Sequence, residues 1–406
     1  MNRLRRWWRD LVDWTGSPVS AVFFGSLWLR WHGRGGARPG VHDLRTVRSL
    51  VVVRYDGLGD LVVTTGFLRE LRRALPGVRI TLVIRREWED LFRACPHVDD
   101  VVGFALTPYP RFAVVRRLMD LAAFCRRELW SREVEAMLVP QSNIAYYDVR
   151  YFAFFSGAGI RWGRRLAADP ETIATRRLLT RVDVEPATGH EADLLMEWMG
   201  QLGLPVQERH LELTWDAAAN ATAQRWLGPR LGTSPRVVLG IGASQGPKVW
   251  PLDRFIEIGR LLRGIGAQLV VIGADDLERP AARFSEALGG GVLNLVGKLR
   301  LQETAAVLSQ SDLFVGNDSG PMHVAAAVGV PVVEVVGWPA DVPPEYSGSP
   351  LRIGPYCKQR RIVQPTGDGR DWSVRVGEVT VDAVWAAVLS LMDEIRNAPV
   401  PSPLPK

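Results

Sequence analysis

The feature that most constrains the fold is a unit that occurs twice: a continuous apolar run, a short glycine-containing turn, and a helical pattern. In the first half, residues 50–55 (LVVVRY) precede the turn DGLGD, and in the second half residues 236–241 (RVVLGI) precede GASQG. Continuous apolar runs of this length are typical of strands buried on both faces of a parallel sheet. We therefore predict that each half opens with a buried strand, a turn and a helix.

Further apolar runs alternate with helical patterns, which predicts an α/β protein with two doubly wound domains. The additional strands are expected at residues 79–84 and 136–140 in the first half, and at 268–272, 291–296, 313–315 and 332–336 in the second. The predicted organisation is an N-terminal extension (1–44), a first domain (45–185), an interdomain segment (186–235), a second domain (236–350), and a closing helix with a proline-rich tail (351–406).

Composition and residue spacing exclude several classes of protein. The chain is 47% hydrophobic and 23% charged, which excludes disorder as a global description. Its three cysteines show no CxxC spacing, which argues against a disulfide framework and favours a cytoplasmic location. Its six histidines show neither HxxxH nor HExxH spacing, so no intrinsic metal site is expected.

The basic charge is concentrated at the N-terminus. Of the net charge of +6, +5 falls in residues 1–40, which also hold five of the fifteen tryptophans. The rest of the chain is nearly neutral, which argues against nucleic acid as a partner. Residues 14–29 are uncharged but too short and too interrupted to span a membrane. Two interpretations remain: an interfacial segment on the inner face of the cytoplasmic membrane, or a segment packed on the protein's own surface.

The most informative motif is NDSGPMH at residues 317–323, between a short strand and an alanine-rich helix. Free N–H groups at a helix N-terminus, together with the helix dipole, bind anions. Plain helix capping by Asp318 or Ser319 is the alternative, but capping alone requires neither the glycine nor His323. We therefore predict a diphosphate site, with these contributing residues: Asp318, Ser319, Gly320, Pro321, Met322 and His323.

A second candidate site is the loop GASQGPKVWP, which follows the strand at residues 236–241. Lys248 is one of only four lysines in a chain with forty-six arginines. A compact ammonium at the end of a strand suits a phosphate or a leaving group, although a solvated loop lysine remains an alternative. Gly242 and Ser244 of this loop are further candidates for donor binding. The glycines miss GxGxxG spacing, so a nicotinamide cofactor is weakly supported.

Two acidic positions have equally balanced interpretations. Asp60 follows Gly59 at the start of the first helix, where a carboxylate caps the helix or, at this edge of the sheet, acts as a general base. Asp275 follows the strand at residues 268–272, where it binds ribose hydroxyls or forms a turn.

At these positions the sequence resembles glycosyltransferase family 9, the ADP-heptose:lipopolysaccharide heptosyltransferases. The resemblance spans about residues 49–345. It rests on VVVRYDGLGDLVVTTGFLREL, LGIGASQGPKVWPLDRFIEI and LSQSDLFVGNDSGPMHVAAAVGVPVVEVVG. The N-terminal extension lies outside the family core, and residues 112–163 match no one member sharply.

The resemblance implies a GT-B fold, with two facing Rossmann-like domains: the acceptor on the N-terminal one and the nucleotide-sugar donor on the C-terminal one. It also implies an inverting, metal-independent transfer without a resident cofactor, from a donor expected to be ADP-heptose to a glycolipid or oligosaccharide acceptor. In this interpretation Asp60 is the base, Lys248 binds the departing diphosphate, residues 318–323 bind the donor phosphates, and Asp275 loosely matches the ribose position.

Two other functions fit the same scaffold. A nucleotide-sugar epimerase or hydrolase would need a second acid/base group and no acceptor. A non-catalytic, membrane-bound protein that binds sugar nucleotides would need neither Asp60 nor Lys248 for chemistry.

Overall fold

The computed structural model describes residues 18–31, 43–105, 114–141, 147–166, 178–230, 232–346, 348–367 and 373–397. The chain divides into two compact units. The first contains Met1–Asp56, Phe67–Ala187 and Asp193–Arg209, and the second contains Gly57–Gly66, Thr188–Ala192 and His210–Lys406. The basic residues at 1–17 and the glycine-rich residues 32–42 lie outside the described residues, as does the tail from 398 onward.

The first half of the chain contains six strands: β1 (Ser49–Val53), β2 (Arg79–Arg85), β3 (Asp100–Phe104), β4 (Ala136–Val139), β5 (Ile160–Leu166) and β6 (Arg181–Glu185). Its described helices are α1 (Pro18–Trp31), α2 (Leu58–Val63), α3 (Thr65–Ala74), α4 (Glu89–Phe92), α5 (Val114–Phe124), α6 (Tyr147–Phe155) and α7 (Glu191–Gln201).

The six strands form one parallel sheet of the first unit, in the order β3-β2-β1-β4-β5-β6. All five residues of β1 are buried, as its continuous apolar sequence predicts. One face of the sheet packs under α1, α5 and α6 through Val51, Met137, Leu121 and Phe152. The strand predicted from the apolar run at residues 50–55 is thus confirmed as β1.

Helix α1 packs against this unit with one face and leaves the other exposed. The rings of Trp28 and Trp130 are 4.8 Å apart, and Leu29 is buried. Leu27 and Trp31 are 60% and 85% exposed. The interpretation that the N-terminal extension packs on the protein's own surface is therefore correct for α1. Leu27 and Trp31 still form an apolar edge that faces outward. No helix in the described ranges is both long and apolar enough to cross a bilayer.

The second half contains β7 (Arg236–Gly240), β8 (Gln268–Ile272), β9 (Val292–Asn294), β10 (Leu313–Asn317), β11 (Val332–Val335) and β12 (Arg360–Val363). Its described helices are α8 (Ala217–Leu227), α9 (Leu252–Gly264), α10 (Glu278–Ala287), α11 (Leu301–Ser309), α12 (Gly320–Ala327), α13 (Pro350–Ile353) and α14 (Val381–Asn397).

These strands form a second parallel sheet, in the order β12-β11-β10-β7-β8-β9. Its core extends past the predicted boundary at residue 350, because β12 pairs with β11 and α14 buries Val384 and Val388 among the strand residues. The closing segment is therefore an integral part of this unit. Two short pieces from the first half, Gly57–Gly66 and Thr188–Ala192, also group with this unit.

Candidate active site

Two loops meet at the carboxyl edge of the second sheet, where open α/β sheets bind ligands. β7 and β10 are neighbours, with Gly240 opposite Gly316, so the segments that follow them lie side by side. Asn317 joins these segments: its Oδ1 accepts from the Trp250 backbone N–H at 2.9 Å, and its Nδ2 donates to the Gly240 carbonyl at 3.4 Å. Asn317 is fully buried, so it is a structural clamp between the two loops.

Lys248 and Asp318 form an ion pair at this edge, with Nζ 2.6 Å from Oδ2. Lys248 ends the short 3-10 helix Gly246–Lys248, and Asp318 follows β10 directly. Their side chains are 23% and 11% exposed, so both are partly shielded from solvent and still accessible. The structure therefore brings together two residues that lie seventy positions apart and that the sequence predicts independently.

The N-terminus of α12 begins beside this pair. Ser319 is its N-cap in extended conformation, but its side chain makes no capping hydrogen bond. In the described part of the chain, Ser319 Oγ is buried without a hydrogen-bond partner. The Ser319 side chain therefore does not cap the helix, and its hydroxyl is available to bind an anion. Met322 is different, because its side chain is fully buried and only its backbone lies at the helix start.

His323 is in the first turns of α12 and is buried, with 3% of its surface exposed. Burial lowers the pKa of its imidazole to about 4; Asp318 opposes this shift, and His190 and Lys248 add to it. The ring is therefore neutral at pH 7. Its Nδ1 has no hydrogen-bond partner among the described residues.

Helix α2 packs directly on α12 within the second unit. A Cβ on Gly59 would lie 2.3 Å from His323 Cδ2, and one on Gly320 would lie 2.7 Å from Leu58 Cδ2. Asp60 is the third residue of α2, and its Oδ2 accepts from the Gly57 backbone N–H at 3.0 Å. Asp60 therefore stabilises the helix start, and that same geometry holds its carboxylate on the helix that contacts His323.

The other predicted donor-site residues lie along the same sheet edge. A Cβ on Gly242 would lie 2.1 Å from Leu277 Cδ1, so the loop after β7 packs tightly on the segment after β8. Asp275 opens that segment as the first residue of the 3-10 helix Asp275–Leu277. Ser244 and Asp275 are exposed, and Pro321 is half-buried in the first turn of α12.

The family model described as "Glycosyltransferase family 9 (heptosyltransferase)" matches residues 153–364, just over half of the chain. The chain belongs to glycosyltransferase family 9. The predicted resemblance is thereby confirmed, and this family 9 member is a glycosyltransferase. Membership favours glycosyl transfer over the epimerase, hydrolase and binding-protein alternatives.

Individual relatives are similar to this chain over most of its length. The chain is 20% identical over 364 residues to lipopolysaccharide core heptosyltransferase OpsX of Haemophilus influenzae, covering 87% of this chain and 95% of OpsX. The family 9 glycosyltransferase structure from Veillonella parvula has a TM-score of 0.73 at 22% identity, covering 86% of this chain and 98% of that one. Escherichia coli heptosyltransferase WaaC with ADP has a TM-score of 0.63 at 20% identity, covering 84% and 99%. These similarities confirm the GT-B fold class.

Sequence reasoning missed an acidic residue of this family 9 glycosyltransferase, Glu334 of β11. It is 1% exposed, and burial raises the pKa of its carboxyl well above the ordinary range; Asp318 adds to that shift, whereas Lys248 and Arg360 oppose it. The available signal was a single glutamate inside the apolar run VVEVV.

A cluster of buried ion pairs at the carboxyl edge of the first sheet was also missed. Arg54 Nε is 2.8 Å from Asp56 Oδ1, and Arg164 NH1 is 2.8 Å from Glu185 Oε2. Both guanidinium groups also donate to the Pro140 carbonyl. The next residue, Gln141, is 3% exposed, and neither of its amide atoms has a partner among the described residues. This edge therefore presents buried donors where the first domain would take a ligand.

The described residues contain no group of three or more His, Cys, Asp or Glu side chains placed to hold a metal ion.

Proposed function

We propose that this glycosyltransferase moves a heptose from ADP-heptose to a lipopolysaccharide-type glycan, with inversion and without a metal ion. The observation that carries the donor half is the Lys248–Asp318 pair beside the N-terminus of α12. Two relatives support the identities of donor and acceptor: WaaC was solved with ADP, and OpsX is a lipopolysaccharide core heptosyltransferase.

In the proposed reaction, Asp60 accepts the proton of an acceptor hydroxyl as that oxygen attacks the anomeric carbon. The bond from this carbon to the diphosphate oxygen breaks from the opposite side, which inverts the configuration. Lys248 and the N–H groups at the start of α12 stabilise the charge that develops on the departing diphosphate. Neutral His323 adds no competing charge to this site.

The remaining donor-site residues have roles in holding the nucleotide sugar. Gly242 and Ser244 border the site in the loop after β7, and Asp275 accepts hydrogen bonds from the ribose hydroxyls. Ser319 Oγ and the backbone of residues 320–323 bind phosphate oxygens.

For the acceptor, we propose a glycan at the edge of the first sheet. Arg54 and Arg164 provide planar guanidinium donors there, each paired with a carboxylate, and the Gln141 amide has no partner among the described residues. A cytoplasmic enzyme that acts on a glycolipid must meet the inner membrane surface. The charge of residues 1–40 and the exposed Leu27 and Trp31 of α1 suit such a peripheral contact.

The donor proposal is tested by calorimetry with ADP-, UDP- and GDP-sugars. Selective binding of ADP-heptose is expected, weakened at least tenfold (about 1.4 kcal/mol) in Lys248→Ala. Lys298→Ala is the matched control, because its Nζ donates to the Asn294 carbonyl and lies over the Trp226 ring in the same unit. Preference for another nucleotide would remove ADP-heptose as the donor.

The base is tested separately with Asp60→Asn, which keeps an oxygen that can accept from the Gly57 N–H. Turnover should fall by about 10²-fold or more while donor affinity stays near that of the wild type. Unchanged turnover would refute the assignment of Asp60 as the base.

A further inference from the structure

Glu334 is fully buried inside a strand, a position that acidic side chains rarely occupy unless they have a partner or a role. It is the third residue of β11, between Gly316 of β10 and Ile362 of β12. Its neighbours Val333 and Val335 point into the core of the second unit, so Glu334 points to the opposite face of the sheet. The Phe314 ring fills the space at Gly316, where a Cβ would lie 2.7 Å from its Cζ. Asp318 follows Gly316 by two residues, and its backbone N–H donates to the Val335 carbonyl at 3.3 Å. Asp318 and Lys248 both act on the charge of Glu334, so Glu334 lies within electrostatic range of the Lys248–Asp318 pair.

The carboxyl of Glu334 has an unused hydrogen-bonding group. Its Oε2 is buried and has no hydrogen-bond partner in the described part of the chain. The charged and titratable groups that act on it are Asp318 of the neighbouring strand end, Lys248, and Arg360 of β12. Glu334 also acts on the charge of the Cys357 thiol, whose pKa burial raises to about 11. Because burial raises the pKa of this carboxyl, it favours the protonated form, whose hydroxyl is a donor.

We expect the Lys248–Asp318 ion pair to change when an anion binds. Lys248 Nζ is 2.6 Å from Asp318 Oδ2, and a bound diphosphate would attract the same ammonium. Asp318 would then face an incoming anion without its charge partner, which is costly in a partly buried site. A neutral donor near Asp318 offsets that cost, whereas an ionised carboxylate there would repel both Asp318 and the ligand.

We propose that Glu334 is a positioning residue: in its neutral form it donates a hydrogen bond to the Asp318 carboxylate while Lys248 engages a bound diphosphate. The proton stays on Glu334 throughout. The inference rests on the proposed function for the nature of the ligand, and it adds a requirement that Glu334 be neutral for anion binding.

The test compares Glu334→Gln, which keeps a neutral donor, with Glu334→Leu, which removes it. Affinity for ADP and for inorganic pyrophosphate is measured by calorimetry at neutral and alkaline pH. We expect Glu334→Gln to stay within about threefold of the wild type and Glu334→Leu to lose about tenfold, as for a hydrogen bond to a charged group. Val332→Ala, a buried change on the same strand and face, is the control for packing.

The pH dependence provides a readout that packing alone would not move. Ionisation of Glu334 at alkaline pH should weaken binding in the wild type, and this additional weakening should be absent in Glu334→Gln. An infrared difference spectrum between these two proteins at neutral pH should contain the carbonyl band of a protonated carboxylic acid. Because these measurements compare only the wild type and Glu334→Gln, they still test the inference if Glu334→Leu folds poorly.

The outcomes separate this inference from the donor proposal. Pyrophosphate binding with the expected Glu334 dependence, but no ADP binding, would reject the nucleotide and keep the inference. Equal affinities and equal pH profiles for the wild type, Glu334→Gln and Glu334→Leu would overturn the inference and leave the donor proposal standing. Absence of the protonated carbonyl band would also overturn it, and failure of the wild type to bind either ligand would overturn both.

Discussion

Gly59 lies directly against the imidazole of His323, so closely that a Cβ on Gly59 would be 2.3 Å from Cδ2 and 2.6 Å from Nε2. Helices α2 and α12 can therefore approach this closely only with glycine at position 59. Asp60 is the next residue, and Asp318 and Ser319 immediately precede α12. This one contact fixes the helix of the proposed base relative to the start of the proposed phosphate site, within a single unit.

A methyl group at this contact should therefore impair both stability and turnover. Gly59→Ala must displace either α2 or the His323 ring, which we expect to lower the free energy of unfolding by about 1–3 kcal/mol and turnover by at least tenfold. Chemical denaturation and the rate of sugar transfer measure the two effects. Gly200→Ala in α7 is the control, because nothing lies within 4 Å of a Cβ at that helical position. A Gly59→Ala protein as active and stable as this control would show that the contact has no functional weight.

Buried His323 should make the protein less stable as the pH falls. Its pKa of about 4 in the folded protein lies below the ordinary value of 6.5, so the unfolded chain takes up a proton that the folded one does not. The stabilisation is complete above pH 6.5 and is lost as the pH falls towards 4, by up to about 3 kcal/mol. His323→Gln should flatten that part of the curve of unfolding free energy against pH. Parallel curves would contradict the burial of a neutral ring.

Buried Glu334 should make the protein less stable as the pH rises. Its carboxyl pKa is raised well above 4.5, so its contribution to stability is complete below pH 4.5 and is lost as the pH rises towards the folded value. The loss reaches about 1.4 kcal/mol per pH unit. We expect Glu334→Gln to be more stable than the wild type at pH 7, with a gap that is smaller at pH 5. Denaturant titrations at both pH values measure this gap, and a constant gap would mean that Glu334 is ionised in the folded protein.

These examples show which parts of the molecule the sequence predicts. The strands β1 and β7 are buried on both faces, so their apolar runs suffice. Strands β5 (IRWGRRL) and β6 (RVDVE) contain many charges, and no apolar pattern marks them. They belong in the sheet because Arg164 and Glu185 neutralise each other across the two strands, a pairing that exists only after folding.

In the candidate site, too, the sequence predicts residues that belong to a local pattern and not those that meet only after folding. The loop at residues 317–323 and Lys248 could be identified because a strand followed by a polar turn and a helix is a local pattern. Glu334 lies inside an apolar strand, and its position near Asp318 depends on the pairing of β10 with β11. The Gly59–His323 contact joins residues from opposite halves of the chain, so no local pattern contains it.

Asn317 should be essential for holding the two donor-site loops together. Its side chain is fully buried and bonds to both the Trp250 N–H and the Gly240 carbonyl. Asn317→Ala leaves both groups without these partners, which we expect to cost about 2–4 kcal/mol of stability and to weaken donor binding. The control is Gln310→Ala near the other end of β10, where the side-chain amide donates from a half-buried position to Asn220 Oδ1 and the Ala306 carbonyl. Equal losses in the two variants, measured by denaturation and calorimetry, would contradict a specific role for Asn317.

The outward edge of α1 should bind an anionic membrane surface. Trp31 and Leu27 lie one helical turn apart and are exposed, whereas Trp28 and Leu29 hold the helix on the first unit. Point substitutions therefore suit this test better than deletion of residues 1–40, which would uncover Trp130. We expect Leu27→Ser combined with Trp31→Ser to lower co-sedimentation with anionic vesicles several-fold, and high salt to weaken the binding further by screening the arginines.

The control for that prediction is Leu351→Ser, which removes an apolar side chain 63% exposed on the second unit. If binding depended on general surface hydrophobicity, the control would lose as much binding per substituted residue as the α1 variant. If the basic residues alone attracted the membrane, the double variant would bind as the wild type does at every salt concentration. Only a loss confined to the α1 variant, in vesicles and not in transfer to a soluble acceptor, supports an anchoring role for this edge.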